Sequence, residues 1–244
     1  MTKLKGKNAI ITGASRGIGR AIAERLAGDG AAVAINYVRD EGAAREVCAA
    51  IEAKGGRALA IRADVGVTAD IERLFAEAEA RLGPPDIVVA SAGISVFKPH
   101  AMVTAEEFDR IFAVNTRGVF FVLQEAARRV RDGGRIVQIS TAGTLVPYPA
   151  AGLYSGSKAA AELFASCLAK ELGPRGVTVN SVAPGATRTE GLIMPEEAIA
   201  QLVAQTPLGR LGEPRDIADV VAFLVSEEGR WLTGQNLHAT GGII

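Results

Sequence analysis

The chain has 244 residues, 48% of them hydrophobic, with 27 basic and 27 acidic residues and a formal net charge of zero. That much apolar side chain supports a buried core and excludes a disordered polymer, while the neutral balance removes the attraction that nucleic acid or an anionic membrane would need. No segment approaches the roughly eighteen apolar residues of a membrane span, and the basic start (Lys3, Lys5, Lys7) runs into a glycine turn rather than the apolar region of a leader, so a soluble, cytoplasmic protein is expected.

In chain order the pattern alternates strand and helix. Residues 8–12 form a short apolar run ending at Gly13, and Ile18, Ile22 and Leu26 then recur at helical spacing. Residues 31–37 read as a second strand and 41–54 as a helix that Gly55 and Gly56 end. A third strand covers 57–62. Ile71, Leu74, Phe75, Ala78 and Leu82 mark a helix stopped by Gly83-Pro84-Pro85. Strands at 86–90 and 135–140 flank one long helix over about 105–131. A helix at 153–172, a strand at 177–182, a helix through Ile217, Val220, Val221 and Leu224 and a strand near 235–238 complete the order.

The strands are continuous apolar runs, as a parallel sheet covered on both faces requires. Repeated strand–helix units then imply right-handed crossovers and an α/β, doubly wound parallel sheet with helices on both faces. No linker, repeat or low-complexity stretch divides the chain, so a single domain over 1–244 is expected, with an insertion at about 187–208. Cys48 and Cys167 lie in helical patterns, form no C-x-x-C and read as reduced packing residues. His100 and His238 are far apart without carboxylates at ligand spacing, so no metal is expected.

Two features carry chemistry. The run Gly13-Ala14-Ser15-Arg16-Gly17-Ile18-Gly19 follows a strand and opens a helix. Such a turn lets a phosphate approach the backbone and meet the unpaired N–H groups and positive end of the helix. Its spacing is neither G-x-G-x-x-G nor a Walker loop. The second feature is Tyr154 and Lys158, whose spacing places both on one helix face. An ammonium beside a phenol favours the phenolate; a shift of about three units from the usual value of about 10 corresponds to about 4 kcal/mol. The expectation is a tyrosine that trades a proton near neutral pH, its pKa lowered by Lys158.

With the glycine turn at its start and Tyr154-x-x-x-Lys158 in mid-chain, the sequence resembles the short-chain dehydrogenase/reductase family over essentially its whole length, and among its members looks most like 3-oxoacyl-carrier-protein reductases. Asp64-Val65 after the third strand, Ala92-Gly93 after the fourth, Asn115 in the long helix, and Pro184-Gly185 with Thr187 and Thr189 after the sixth agree in order. The resemblance implies a Rossmann-type fold and hydride transfer between a nicotinamide cofactor and an alcohol or carbonyl. It implies Tyr154 as general acid/base, Lys158 as its partner and holder of the nicotinamide ribose, and Asn115 as a helix kink with a relay water. Asp64 and Val65 would meet the adenine; Pro184, Gly185, Thr187 and Thr189 would meet the nicotinamide end.

The sequence departs from the family at two places. Thr141 stands where the family has serine; its hydroxyl can still donate to a substrate oxygen, and its methyl narrows the pocket. Ser140 is the rival, with its side chain on the opposite strand face. Ala90-Ser91-Ala92-Gly93 replaces Asn-Asn-Ala-Gly.

For the cofactor, Asn36 and Tyr37 occupy the end of the second strand where NAD-binding relatives carry an acid. Arg16 and Arg39 offer guanidinium groups to a 2′-phosphate, so NADP(H) is favoured over NAD(H), with Asp40 and Glu41 as carboxylates able to fold back. The substrate pocket is expected between 94–99, 142–153 and 188–207, with an apolar rim of Leu145, Val146, Pro147, Tyr148, Leu153, Leu192, Ile193 and Met194. A homotetramer or homodimer is expected through the Tyr154 and Asn115 helices. An NAD(H)-dependent alcohol or sugar dehydrogenase is the alternative within the family, and a non-catalytic dinucleotide-binding regulator the alternative outside enzymes.

Overall fold

In the computed structural model, which describes residues 3–192 and 194–244, the strands form one seven-stranded sheet in the order β3-β2-β1-β4-β5-β6-β7. They are β1 Asn8–Ile11, β2 Ala32–Tyr37, β3 Arg57–Arg62, β4 Ile87–Ala90, β5 Arg135–Ile139, β6 Thr178–Pro184 and β7 Asn236–Ala239. Every neighbouring pair is parallel. The helices are α1 Gly17–Gly28, α2 Glu41–Glu52, α3 Thr68–Leu82, α4 Ala105–Phe112, α5 Val119–Arg129, α6 Gly152–Leu172, α7 Glu196–Gln205 and α8 Pro214–Val225.

The apolar runs are explained by burial of alternate residues on opposite faces. Ala9, Ile11, Val33, Ile35, Val89 and Val137 pack under α1, α2 and α8. Ile10, Ala34, Val88 and Ile136 pack under α3, α5 and α6. A period of two therefore sorts each strand into two cores and leaves no polar face. The chain winds outward from β1 to β3, then returns to place β4 beside β1. Such a reversal opens a crevice at the carboxyl ends of the strands, where doubly wound sheets hold their ligands.

Two expectations change. The helix expected over 105–131 is broken: a π-helical turn, Ala113–Gly118, separates α4 from α5. At Gly118 a Cβ would stand 2.5 Å from the Val65 carbonyl oxygen, so the helix meets the β3 end too closely for a side chain, and the extra residue of the π turn frees Asn115 to face inward. Cys167 is exposed on α6 rather than packed, and only Cys48 is partly buried. The segment 187–208 contains α7, none of whose residues is buried. Among the described residues no helix is long and apolar enough to cross a membrane.

Candidate active site

The glycine turn is held from below by two side chains. Thr12 Oγ1 accepts from the Ser91 and Ala92 amides, both at 3.0 Å, which ties the β1 end to the β4 end. Asn36 Oδ1 accepts from the Gly13 amide at 3.1 Å, and Asn36 Nδ2 donates to the Ala63 carbonyl at 2.8 Å. Asn36 is fully buried, so its amide braces the turn from within.

Gly13 and Gly17 adopt the left-handed region, φ +64° and +55°. A Cβ on Gly13 would lie 2.7 Å from Ala92 Cα, and one on Gly19 2.3 Å from the Gly13 carbonyl oxygen. Ser15 and Ile18 lie within this turn, partly exposed. Arg16 caps α1 without a side-chain hydrogen bond, and no acid occupies the first turn. The N–H groups of that turn are thus offered to an anion.

At the end of β2, Tyr37 is buried in the core under α1, which removes its ring from the surface. Arg16 and Arg39 are exposed. Asp40 accepts from the Ala43 amide at 2.8 Å and caps α2, and Glu41 pairs with Arg45; both carboxylates are engaged along α2. Arg62 Nε donates to the Val38 carbonyl at 3.2 Å, adding a guanidinium that sequence reasoning missed. Asp64 Oδ1 accepts from the Gly66 amide at 2.8 Å, which fixes the carboxylate beyond β3, while Val65 is buried.

The residues expected to carry acid–base chemistry converge at the end of β5. Asn115 Oδ1 accepts from the Ile94 amide at 2.9 Å; its Nδ2 donates to the Ile94 carbonyl at 2.8 Å and to Ser157 Oγ at 3.0 Å. Ser157 Oγ donates in turn to the Tyr154 carbonyl at 2.7 Å. The π turn therefore clamps the segment after β4 to α6. Gly93 sits inside this clamp: a Cβ there would be 3.0 Å from Lys158 Nζ and 3.3 Å from Asn115 Oδ1.

Lys158 is 3% exposed, and its Nζ donates to the Ile139 carbonyl at 2.8 Å. Burial lowers its pKa from 10.5 to about 8, opposed by the charge of Glu162. Burial raises the Tyr154 pKa; the Thr141 hydroxyl opposes that rise and Tyr148 adds to it. The expected lowering by Lys158 is thus not met, because desolvation of the phenol dominates. Ser140 Oγ donates to Glu162 Oε1, and is spent there. Glu162 and Ser157 went unassigned in the sequence, although both lie on the Tyr154 helix, Glu162 four residues beyond Lys158.

The rim contains Phe97, Leu145, Val146, Tyr148 and Met194, all exposed; Leu153 is buried, and Ile193 lies outside the described residues. The Phe97 ring centroid is 5.4 Å from that of Tyr154 and 6.4 Å from that of Tyr148. The Lys98 amide donates to the Ala150 carbonyl at 2.9 Å, joining two of the expected pocket segments. Pro184 ends β6, and Gly185 packs on Thr240, whose Cα would be 2.9 Å from a Cβ there. Thr187 Oγ1 donates to the Gly185 carbonyl at 2.9 Å. The Thr189 methyl lies 3.5 Å from a Cβ built on Gly17, so this segment rests on the glycine turn. Among the described residues no three His, Cys, Asp or Glu side chains gather as a metal site would need.

Residues 13–244 match the family profile described as enoyl-(acyl carrier protein) reductase. A hydroxynaphthalene reductase-like protein of Metarhizium brunneum is 44% identical, over 99% of this chain and 96% of that protein. A short-chain dehydrogenase from Burkholderia cenocepacia, solved in complex with NADP, superposes with a TM-score of 0.95 at 40% identity over 99% of each chain. An angucycline C-6 ketoreductase with bound NADP superposes at 0.94 with 44% identity, over 99% of this chain and 96% of that one.

Proposed function

This chain belongs to the short-chain dehydrogenase/reductase family of oxidoreductases, and on that premise we propose that it reduces a ketone or aldehyde, or oxidises the corresponding alcohol, with NADP(H) and with Tyr154 as the proton-transferring group. The observation that carries this reading is the Tyr154 phenol facing the Thr141 hydroxyl one helical turn from buried Lys158.

The glycine turn fits a dinucleotide, since side chains at Gly13 and Gly19 would collide with backbone and the α1 N–H groups lack a side-chain acceptor. When bound, the nicotinamide supplies the hydride to the carbonyl carbon. Thr141 donates a hydrogen bond to the carbonyl oxygen, and Tyr154 Oη gives that oxygen its proton. The raised pKa keeps the phenol protonated at neutral pH, which suits an acid in the reductive direction. Lys158 is cationic below about pH 8; it stabilises the phenolate left behind and would hold the ribose of a bound cofactor. Asn115 holds the 93–94 backbone and α6 in register, and supports a relay water to Lys158. Pro184, Gly185, Thr187 and Thr189 would hold the nicotinamide end of a bound cofactor, and Asp64 with Val65 the adenine end.

NADP(H) is supported by the exposed Arg16 and Arg39, the engagement of Asp40 and Glu41 along α2, and the NADP found in two solved relatives. Within the carbonyl class, the Phe97 and Tyr148 rings beside Tyr154 favour a flat aromatic ketone, in keeping with relatives named for hydroxynaphthalene and angucycline reduction. Phe120 and Leu163, exposed on α5 and α6, support assembly as a homotetramer or homodimer. The test is a panel of a bicyclic aryl ketone, a 3-oxoacyl thioester and a simple aldehyde, each with NADPH and NADH. The expected result is NADPH-dependent reduction with the highest kcat/KM on the aryl ketone; binding of NADPH without turnover of any carbonyl would overturn the reading.

A further inference from the structure

Glu162 is the one carboxylate, among the described residues, hydrogen-bonded to the strand end that carries Thr141. Its Oε1 accepts from Ser140 Oγ, the residue before Thr141, and lies 2.9 Å from Thr144 Oγ1, three residues beyond it. The Thr144 hydroxyl is also 3.0 Å from the Thr141 carbonyl, so its single proton is shared between two acceptors. Residues 142–144 form a single 3-10 turn, and the bonds to Glu162 tether it to α6.

Glu162 also stands one helical turn beyond Lys158, on the face shared with Tyr154. The groups beside Lys158 are Glu162 from α6, the Ile139 carbonyl from β5, and Gly93 with Asn115 from the clamp, and Tyr154 lies one turn before it on the same helix face. Burial drives the lysine toward its neutral form, and Glu162 is the charge that opposes this.

Resting on the proposed reductase reading, we infer that Glu162 is a positioning residue with two jobs: it holds the Thr141 turn against the catalytic helix, and it keeps Lys158 charged. The two jobs separate by substitution. Glu162→Gln retains an acceptor oxygen but removes the charge; Glu162→Ala removes both.

The first readout does not depend on turnover. The chain has seven lysines, so the protein labelled with 13Cε-lysine gives a small set of signals, and Lys158→Met identifies the one that matters. In the parent this signal should titrate near pH 8, and in Glu162→Gln its midpoint should fall by at least about half a pH unit. The second readout is kinetic, on any carbonyl the parent reduces. Glu162→Gln should move the alkaline limb of kcat/KM down with the lysine. Glu162→Ala should lose at least about tenfold in kcat with the carbonyl KM changed less than about threefold.

An unmoved Lys158 midpoint in Glu162→Gln overturns the charge role, and a Glu162→Ala kcat within about threefold of the parent overturns the positioning role. Should Glu162→Ala fail to fold, loss of kcat in the bulkier apolar Glu162→Leu that is not recovered in the isosteric Glu162→Gln at low pH overturns it equally. Absence of turnover in the parent counts against the reductase reading alone, because the lysine titration still decides the charge.

Discussion

Replacing Lys158 by methionine should make the protein more stable while abolishing its proposed activity. The side chain is 3% exposed, and burial depresses its pKa from 10.5 to about 8. At pH 7 that depression amounts to a penalty of about 3 kcal/mol on the folded state. A methionine side chain would remove the penalty, keep the volume, and leave the Ile139 carbonyl without its donor, a loss of about 1–2 kcal/mol. The net expectation is about 1–2 kcal/mol of added stability at pH 7. The sign with pH follows from proton counts. A lysine depressed on folding binds fewer protons folded than unfolded, so the parent gains stability from this group as pH rises from about 8 toward 10.5. The penalty is fully present below about 8. Roughly 2 kcal/mol of it should be relieved between about pH 7 and about pH 9.5, and the gap between Lys158→Met and parent should shrink or reverse by that amount. Urea unfolding of both proteins at one concentration and both pH values measures it. A variant less stable than the parent at pH 7, with a gap that does not change with pH, would refute the account of Lys158 as a strained, buried cation.

Other substitutions separate neighbouring roles. Thr141→Ala should reduce kcat by about a hundredfold, whereas Ser140→Ala, which loses its bond to Glu162, should lose about tenfold or less; steady-state kinetics on one ketone ranks them. Gly93→Ala places a methyl 3.0 Å from Lys158 Nζ, so kcat should fall at least about tenfold and a crystal structure should show the lysine displaced. Removing Arg16 and Arg39 together should raise the NADPH Kd by about 10- to 100-fold and alter that of NADH by less than about threefold, as read by calorimetry.

Much of the fold was legible because both sheet faces are buried. A run such as Ile87–Ala90 is apolar at every position, and that alone implies helices on both sides. The ends of the strands were legible through Gly13 and Gly93, whose missing side chains make room for Ala92 and Lys158. What stayed hidden depended on pairing across the fold. The periodicity of Phe108, Ile111 and Val119 runs through the π turn, because one inserted residue hardly disturbs an apolar stripe. Asn36 stood at a strand end where NAD-binding relatives carry an acid, and nothing in the sequence showed that its amide is consumed by Gly13 and Ala63. The Tyr154–Lys158 spacing suggested a lowered phenol pKa, and only the depth of burial reversed the direction. Glu162 shared their helix face in plain sight; its hydroxyl partners came from a different strand and turn.

The central claim is that Tyr154 gives its phenolic proton to a carbonyl oxygen while NADPH is consumed. Tyr154→Phe keeps the ring, its packing beside Phe97 and the helix, and removes only the hydroxyl. Single-turnover NADPH oxidation with a ketone that the parent reduces tests it directly. The account predicts a rate lowered by at least about a thousandfold, with NADPH affinity within about threefold of the parent. A Tyr154→Phe enzyme that still reduces the ketone within about tenfold of the parent rate would contradict it.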